Sequence, residues 1–349
     1  MQSTARRRYF VRTFQISLLI SITLGAAFSY FTTPTGGVLP LVHGAIAGIL
    51  ITSTIIALEF IVFESALFRR APFLVYLALR SLSYLAAILS GLIVTAWLLQ
   101  DVPATRSPIE RDGLIFSLVL SLGFNLTYGV NRLLGQGVLF NFVAGRCHKP
   151  RIEERVLLFM DMESSTAIAE RLGETGFLDF LNRFVADVTG PIVAQRGEIH
   201  KYVGDHLIVT WPLARAVRDA RCIRACFDAL AQLDALADAY ARDFGRRANF
   251  RAGFHCGPVV IGELGVIKME IAFLGDTMNT AARVQQACRD TGHRVLASAA
   301  LLDRLAALPP GIAKRSIGPL RLRGKESEIE LYALTAGESA NATLPSRSV

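Results

Sequence analysis

Two aspartates and a helical Asn/Arg pair stand out among the residues of this chain able to do chemistry. Asp161 closes the apolar run Val156-Leu157-Leu158-Phe159-Met160. Asp205 ends Lys201-Tyr202-Val203-Gly204-Asp205, between two strand-like runs. Two carboxylates at strand ends can share divalent metals, and metals serve phosphoryl chemistry by polarising oxygens and loosening protons. Further on, Gly275-Asp276-Thr277-Met278-Asn279-Thr280-Ala281-Ala282-Arg283 puts an Asn and an Arg four residues apart. On a helix that spacing projects both from one face.

The elements that must position these groups are legible as alternating strands and helices. Val156–Met160 reads as a buried strand. Ser165–Leu172 and Phe177–Val188 read as helices, the second with an apolar stripe of Phe177, Leu181, Phe184 and Val188. Ile199–Val203 and His206–Trp211 form a hairpin around Gly204-Asp205, and Arg215–Phe244 is one or two helices. Asn249–His255, Val259–Glu263 and Glu270–Leu274 read as strands. Asp276 is the expected N-cap of the helix carrying Asn279 and Arg283. Val295–Ala297, Ala313–Ile317 and Ile329–Leu334 complete a mixed sheet.

The set, in five motifs over residues 153–334, resembles the catalytic domain of class III nucleotide cyclases of the membrane-anchored bacterial type. The resemblance implies an α+β, ferredoxin-like (palm-type) domain that makes cyclic AMP or cyclic GMP. It implies two Mg²⁺ or Mn²⁺ ions per site, held by Asp161 and Asp205. Residues 162–166 would begin a helix whose free N–H groups suit a triphosphate, with the Thr166 hydroxyl assisting. Asn279 would orient the ribose, and Arg283 would neutralise charge on the α-phosphate, a role suited to a permanently charged planar fork of donors. Arg323, in Leu320-Arg321-Leu322-Arg323-Gly324-Lys325, aligns with a residue that holds the terminal phosphates; Lys268 is a further basic candidate.

Base selection divides between two positions. Lys201 shares a strand face with Ile199 and Val203, and a lysine on an apolar face needs a partner. In adenylate cyclases the lysine here meets a ring nitrogen of adenine, so the resemblance favours ATP. The second selector in the family is Asp or Thr, three residues before the glycine of the Gly-Asp-Thr turn. This chain has Ala272 there, which cannot hydrogen-bond an exocyclic amine. A guanylate or mixed-specificity cyclase is therefore the alternative. So, from another class, is a silent membrane receptor that keeps the fold only to dimerise, although both aspartates, Asn279 and Arg283 are retained. The family builds its site between two catalytic domains, with Asp161 and Asp205 from one and Lys201, Asn279, Arg283 and Arg323 from the other. A chain bearing both sets would work as a homodimer.

Composition divides the 349 residues in two. The whole is 52% hydrophobic with mean hydropathy +0.40, and long apolar stretches crowd the part before Leu134. A bilayer core needs about 20 mainly apolar helical residues. Phe14–Phe31, Val38–Phe63, Phe73–Leu99 and Gly113–Val130 qualify or nearly so, which predicts an all-α transmembrane bundle of about four helices over residues 1–133 in the lipid bilayer. Arg80 interrupts the third, so that span is expected to start near Ser81 with Arg80 snorkelling to the interface. Arg6, Arg7, Arg8 and Arg12 precede the first span, Arg69 and Arg70 follow the second, and Arg132, Arg146, Lys149 and Arg151 follow the fourth. This pattern places both termini and the catalytic domain on the cytoplasmic side of the inner (plasma) membrane. A cleaved signal over residues 1–27 would leave three spans and export a terminus, against that charge pattern.

Residues 134–152 read as a linker broken by Gly135, Gly137, Gly145 and Pro150. In similar membrane cyclases this segment transduces a signal across the dimer, and a passive linker is the alternative; a ligand or sensor partner in the membrane would supply the signal. The tail 335–349 reads as disordered. The net charge of +8 is carried partly by the membrane-flanking arginines, and no basic run with interleaved aromatics points to nucleic acid. The five cysteines are scattered, without zinc-knuckle spacing, and read as buried thiols.

Overall fold

The computed structural model describes residues 4–32, 38–59, 73–98, 115, 118, 119, 123, 150–265, 270–321 and 328–337. The chain divides into two compact units, Arg6–Leu134 and, apart from the first five residues, Gly135–Val349.

The first unit is helical: α1 (Thr4–Thr32), α2 (Val38–Leu58) and α3 (Phe73–Leu98). Among the described residues, α2 and the Ala78–Thr95 part of α3 are long and apolar enough to cross a membrane, while Ser17–Phe31 of α1 is a shorter apolar stretch. The expected fourth span falls almost wholly outside the described residues. Small residues let the helices meet. A Cβ on Gly44 would land on the carbonyl of Gly25, and Ser21 Oγ donates to the Gly48 carbonyl at 3.1 Å. Gly44 and Gly48 form the small-xxx-small pattern that permits close helix approach in lipid. Arg80 is buried among side chains of its own unit. It is 4% exposed, within an unbroken α3, and its Nε donates to Glu59 Oε1 at 2.6 Å and to the Tyr84 hydroxyl at 3.1 Å. Tyr84 donates to the same Glu59 oxygen. A buried charge in an apolar helix is held by such partners.

The second unit is an eight-stranded mixed sheet with helices on both faces. Its strands are β1 (Arg151–Met162), β2 (Glu198–Val203), β3 (His206–Pro212), β4 (Phe250–Leu264), β5 (Glu270–Leu274), β6 (Val295–Ser298), β7 (Ile312–Arg321) and β8 (Glu328–Ala336). The order is β2-β3-β1-β4-β6-β8-β7, with β5 paired to the far half of β4. The helices are α4 (Ser165–Ala194), α5 (Leu213–Val217), α6 (Arg221–Ala235), α7 (Ala237–Phe244), α8 (Asp276–Thr291) and α9 (Ala299–Leu302). Two predicted helices merge in α4 across a kink at Gly173, where φ is 70°. The two strands expected over 249–263 are one, because β4 runs antiparallel to all of β1 through Pro258.

Period-2 alternation sorts β1 between the faces. Val156, Leu158, Met160 and Met162 join the main core with Ile168, Phe180 and Phe184 of α4 and Cys222, Ile223 and Cys226 of α6. Leu157 and Phe159 face the opposite way, packing with Val259, Ile261 and Ala281 of α8. Asp161 is next in the second series and so falls on the α8 side. Four cysteines (222, 226, 256, 288) are free and buried, and burial pushes their thiols up, Cys222 and Cys288 to about 12.

Candidate active site

Asp161 is the last but one residue of β1 and is 2% exposed. Antiparallel pairing sets it directly opposite His206, the first residue of β3, and opposite Arg251 of β4. Asp205 precedes His206 in the two-residue turn between β2 and β3. Gly204, first in that turn, has φ 60°, a value a glycine adopts freely and a tight hairpin needs. The outcome is a cluster of Asp161, Asp205 and His206 whose ligand atoms lie within 4.8 Å of one another. His206 Nδ1 sits 3.0 Å from Asp205 Oδ1, and its Nε2 sits 3.4 Å from Asp161 Oδ1. That second contact is no well-formed hydrogen bond, and Asp161 Oδ1 is left buried without a partner. A buried, unsatisfied carboxylate oxygen is costly. Facing a second carboxylate and an imidazole, it has the donor chemistry of a divalent-cation site.

Electrostatics keep Asp205 acidic. Burial pushes the Asp205 carboxyl up, but hydrogen bonds from the Ser165 hydroxyl and its own backbone N–H, with the attraction of His206, outweigh it and hold the group below the usual carboxylate range. Arg289 of α8 donates from Nη2 to Asp161 Oδ2 at 2.6 Å. Arg251 Nε lies 3.2 Å from Glu163 Oε1.

Helix α4 starts at Ser165, as the reading of a helix over Ser165–Leu172 expects, near the end of the 162–166 stretch. Met162 still belongs to β1 and its N–H donates to the Asp205 carbonyl at 3.4 Å, while Glu163 N–H donates to the Asn249 carbonyl at 2.9 Å. Ser164, with φ 60°, makes the corner. Free helical N–H groups therefore begin at Ser165. Thr166 is exposed on that first turn, and it is Ser165 whose hydroxyl reaches Asp205.

Helix α8 lies tight against β4. A Cβ on Gly253 would land on the backbone nitrogen of Gln285, and one on Gly257 would stand 2.9 Å from Thr277 Oγ1. Thr277 Oγ1 also donates to the Pro258 carbonyl at 2.6 Å. The cap is Gly275, with φ 134°; Asp276 is the first helical residue, not the N-cap, and its carboxylate accepts from Thr280 Oγ1 at 3.4 Å. With Thr277, Thr280, Ala281 and Val284 buried, Asn279 is exposed and Arg283 half-buried on the other flank.

Lys201 is not on an apolar face. A bulge shifts the β2–β3 register between Ile199 and Lys201, which breaks the alternation the sequence suggests. Lys201 is exposed, and its Nζ donates to Glu270 Oε2 of β5 at 2.7 Å. Ala272 sits half-buried on β5 opposite Gly262. Arg323 and Lys268 lie outside the described residues.

The fold thus joins Asp161 to Asp205 and adds His206, Ser165, Arg289 and Glu270, which the sequence reading did not single out. His206 was within reach: a two-residue turn pairs Val203 with His206 and points β3 at β1. Arg289 carried no local signal.

Residues 147–336 match the family model for the adenylate and guanylate cyclase catalytic domain. Adenylate cyclase 2 of Rhizobium meliloti (strain 1021) is 33% identical over 341 residues, which cover 95% of this chain and 93% of that protein. This chain belongs to the class III adenylate and guanylate cyclase family. It is a nucleotide cyclase. Adenylate cyclase 1 of the same organism is 24% identical over 183 residues, which are 52% of this cyclase but 27% of that protein. A bacterial light-regulated adenylyl cyclase shares the fold, with a TM-score of 0.55 and 20% identity over 65% of this cyclase and 66% of that chain. Divalent metal use is general in the family, and the Asp161, Asp205 and His206 cluster has the donors for it.

Proposed function

We propose that this cyclase is a membrane-bound adenylate cyclase, converting ATP to 3′,5′-cyclic AMP and pyrophosphate. The observation that carries the reading is the buried, unpartnered oxygen of Asp161 facing Asp205 and His206, in a chain 33% identical to an adenylate cyclase along nearly its whole length.

In the reaction the ribose 3′-oxygen bonds to the α-phosphorus as the bond to the β-phosphate oxygen breaks. The 3′-hydroxyl proton is released, and pyrophosphate leaves with the electron pair. Asp161 and Asp205 would hold two divalent cations, Mg²⁺ or Mn²⁺, with His206 beside them. Such ions, when bound, acidify the hydroxyl and stabilise the leaving charge. Asn279 orients the ribose and Arg283 neutralises the α-phosphate. Ser165 keeps Asp205 ionised, the first turn of α4 with Thr166 offers N–H and hydroxyl donors to phosphate oxygens, and Arg323 takes the terminal phosphates.

The working unit is a homodimer with composite sites. Arg289, on the last turn of α8, reaches Asp161; Arg283 and Asn279 stand six and ten residues earlier, roughly 9 and 15 Å along the axis at the helical rise per residue. One protomer therefore keeps its Asn/Arg pair far from its own aspartates, and a second copy closes the gap. Tyr202, Val203, Leu264 and Leu274, each at least half exposed, offer apolar surface for that copy.

Residues 1–133 anchor the protein in the plasma membrane, residues 134–152 connect, and residues 153–334 catalyse on the cytoplasmic side. A membrane ligand or sensor partner acting through the connecting segment is part of this reading.

The test is cyclic nucleotide production by the full chain with Mn²⁺ and either ATP or GTP. Cyclic AMP is expected, and its absence rejects the proposal. Ala272 favours the second reading, mixed specificity, which predicts comparable cyclic GMP from GTP.

A further inference from the structure

Asp161 and His206 stand directly opposite each other in the antiparallel pair of β1 and β3, so their side chains leave the same face of the sheet. Asp205 reaches that face from the hairpin turn, and one ligand atom from each of the three lies within 4.8 Å of the others. The two oxygens of Asp161 have different surroundings. Oδ2 accepts from Arg289 Nη2 at 2.6 Å, whereas Oδ1 is buried, unpartnered and 3.4 Å from His206 Nε2. The other ring nitrogen, Nδ1, sits 3.0 Å from Asp205 Oδ1. In the tautomer that donates from Nδ1 to that carboxylate, Nε2 keeps its lone pair and presents it beside Asp161 Oδ1. A metal-binding imidazole characteristically has its second nitrogen tied to a carboxylate in this way. The His206 side chain is 41% exposed and that of Asp161 2%, so the ring lies on the solvent side of the buried carboxylate.

We propose, on the two-aspartate reading of the cation site, that His206 is a third ligand, binding through Nε2, and that it makes one of the two cation positions favour a transition ion over Mg²⁺. Mg²⁺ is held by oxygen ligands and keeps several of its waters. An imidazole nitrogen suits first-row transition ions better, and the affinity of a mixed nitrogen and oxygen site rises from Mn²⁺ to Co²⁺. The expected order is therefore Co²⁺ over Mn²⁺ over Mg²⁺. Carboxylates alone would put Mg²⁺ at no such disadvantage, so the imidazole is the group that sets the preference.

The test titrates nucleotide-free full-length protein with Mg²⁺, Mn²⁺ and Co²⁺ in turn. The variant is His206→Asn, whose amide can still donate to Asp205 while nothing replaces Nε2. Co²⁺ and Mn²⁺ should bind it at least about tenfold more weakly, no less than the loss of a ligand's hydrogen-bonding partner costs, with Mg²⁺ within about twofold of wild type. Thermal unfolding checks that the variant is folded. A second readout needs no variant: pulsed electron paramagnetic resonance of Mn²⁺ bound to the wild type should show coupling to an imidazole nitrogen. Equal losses for all the ions would mean that His206 only orders the aspartates. Unchanged affinities without nitrogen coupling would mean that it stands by. Either result overturns the assignment and leaves the two aspartates as the ligands. If Asp161→Asn and Asp205→Asn bind every ion as the wild type does, the cation site itself is rejected and His206 loses its role with it.

Discussion

Arg289 Nη2 lies 2.6 Å from Asp161 Oδ2, a contact that spans 128 residues of sequence. The arginine sits in the last turn of α8 and is 59% exposed, while the aspartate is almost completely buried. A cation on a metal ligand competes with the metal for that oxygen, and between partly solvated charges the effect is on the order of 1 kcal/mol. Arg289→Ala should therefore bind Mn²⁺ several-fold more tightly, measured by titration of the nucleotide-free protein. Unchanged or weaker binding would show that Arg289 orients Asp161 instead.

Asp161→Asn and Asp205→Asn test the cation site. Each keeps shape but removes a charged ligand. Cyclisation should fall by more than about a hundredfold, beyond the usual cost of disturbing a ligand's outer-shell partner. Thermal unfolding should show the fold retained. Near-wild-type turnover by either folded variant in Mg²⁺ rejects the assignment.

Composite sites make a quantitative prediction. Asp161→Ala and Asn279→Ala damage opposite halves, so a mixed dimer has one doubly damaged site and one intact site. Random pairing makes roughly half of all dimers mixed, and activity should recover to roughly a quarter of wild type for a two-fold symmetric, independent-site dimer. Co-expression in membranes reads this directly. No recovery, with mixed dimers demonstrated, would mean that each site is built within one chain.

Acid should weaken the contact between β2 and β5, where His200 stacks on Phe273 with ring centroids 4.1 Å apart. Burial first, then the nearby Lys201 and Arg155 charges, lower the His200 pKa to about 4, against a smaller upward pull from Glu270. Between the ordinary histidine value near 6.5 and about 4, the unfolded chain binds a proton that the folded chain refuses. Stability is thus full above that window and declines as pH falls through it, by roughly 1–2 kcal/mol after discounting for solvent screening. His200→Phe, which keeps the stack on Phe273, should flatten this part of the stability profile from pH 6.5 to 4. An unchanged acid slope would show that His200 is not its source.

Gly253→Ala tests how α8 is seated. The added methyl would collide with the backbone of Gln285, which cannot rotate away. A loss of about 1–3 kcal/mol is expected, as for overpacked cores, with activity falling further because Asn279 and Arg283 ride on the same helix. Chemical denaturation reports the first and turnover the second; a stable, active variant would mean that α8 shifts freely.

The alternation of elements, the hairpin turn at Gly204-Asp205 and the helix face shared by Asn279 and Arg283 were legible before any tertiary contact. Each of these is local: hydrophobic period, glycine φ and helical spacing act within a few residues, and the family motifs are short contiguous strings. Element ends were less legible where a partner strand decides them. β4 continues through Pro258 because β1 is paired along its whole length, and the bulge before Lys201 is visible only in the β2–β3 register. Strand pairing alone brings His206 across to Asp161, and helix seating alone brings Arg289 to the same carboxylate. Likewise, Arg80 meets Glu59 by the packing of α2 with α3, a partner that hydropathy alone does not name. Such contacts depend on distance in space, and a charged side chain takes the partner that folding sets beside it, however far apart the two lie along the chain.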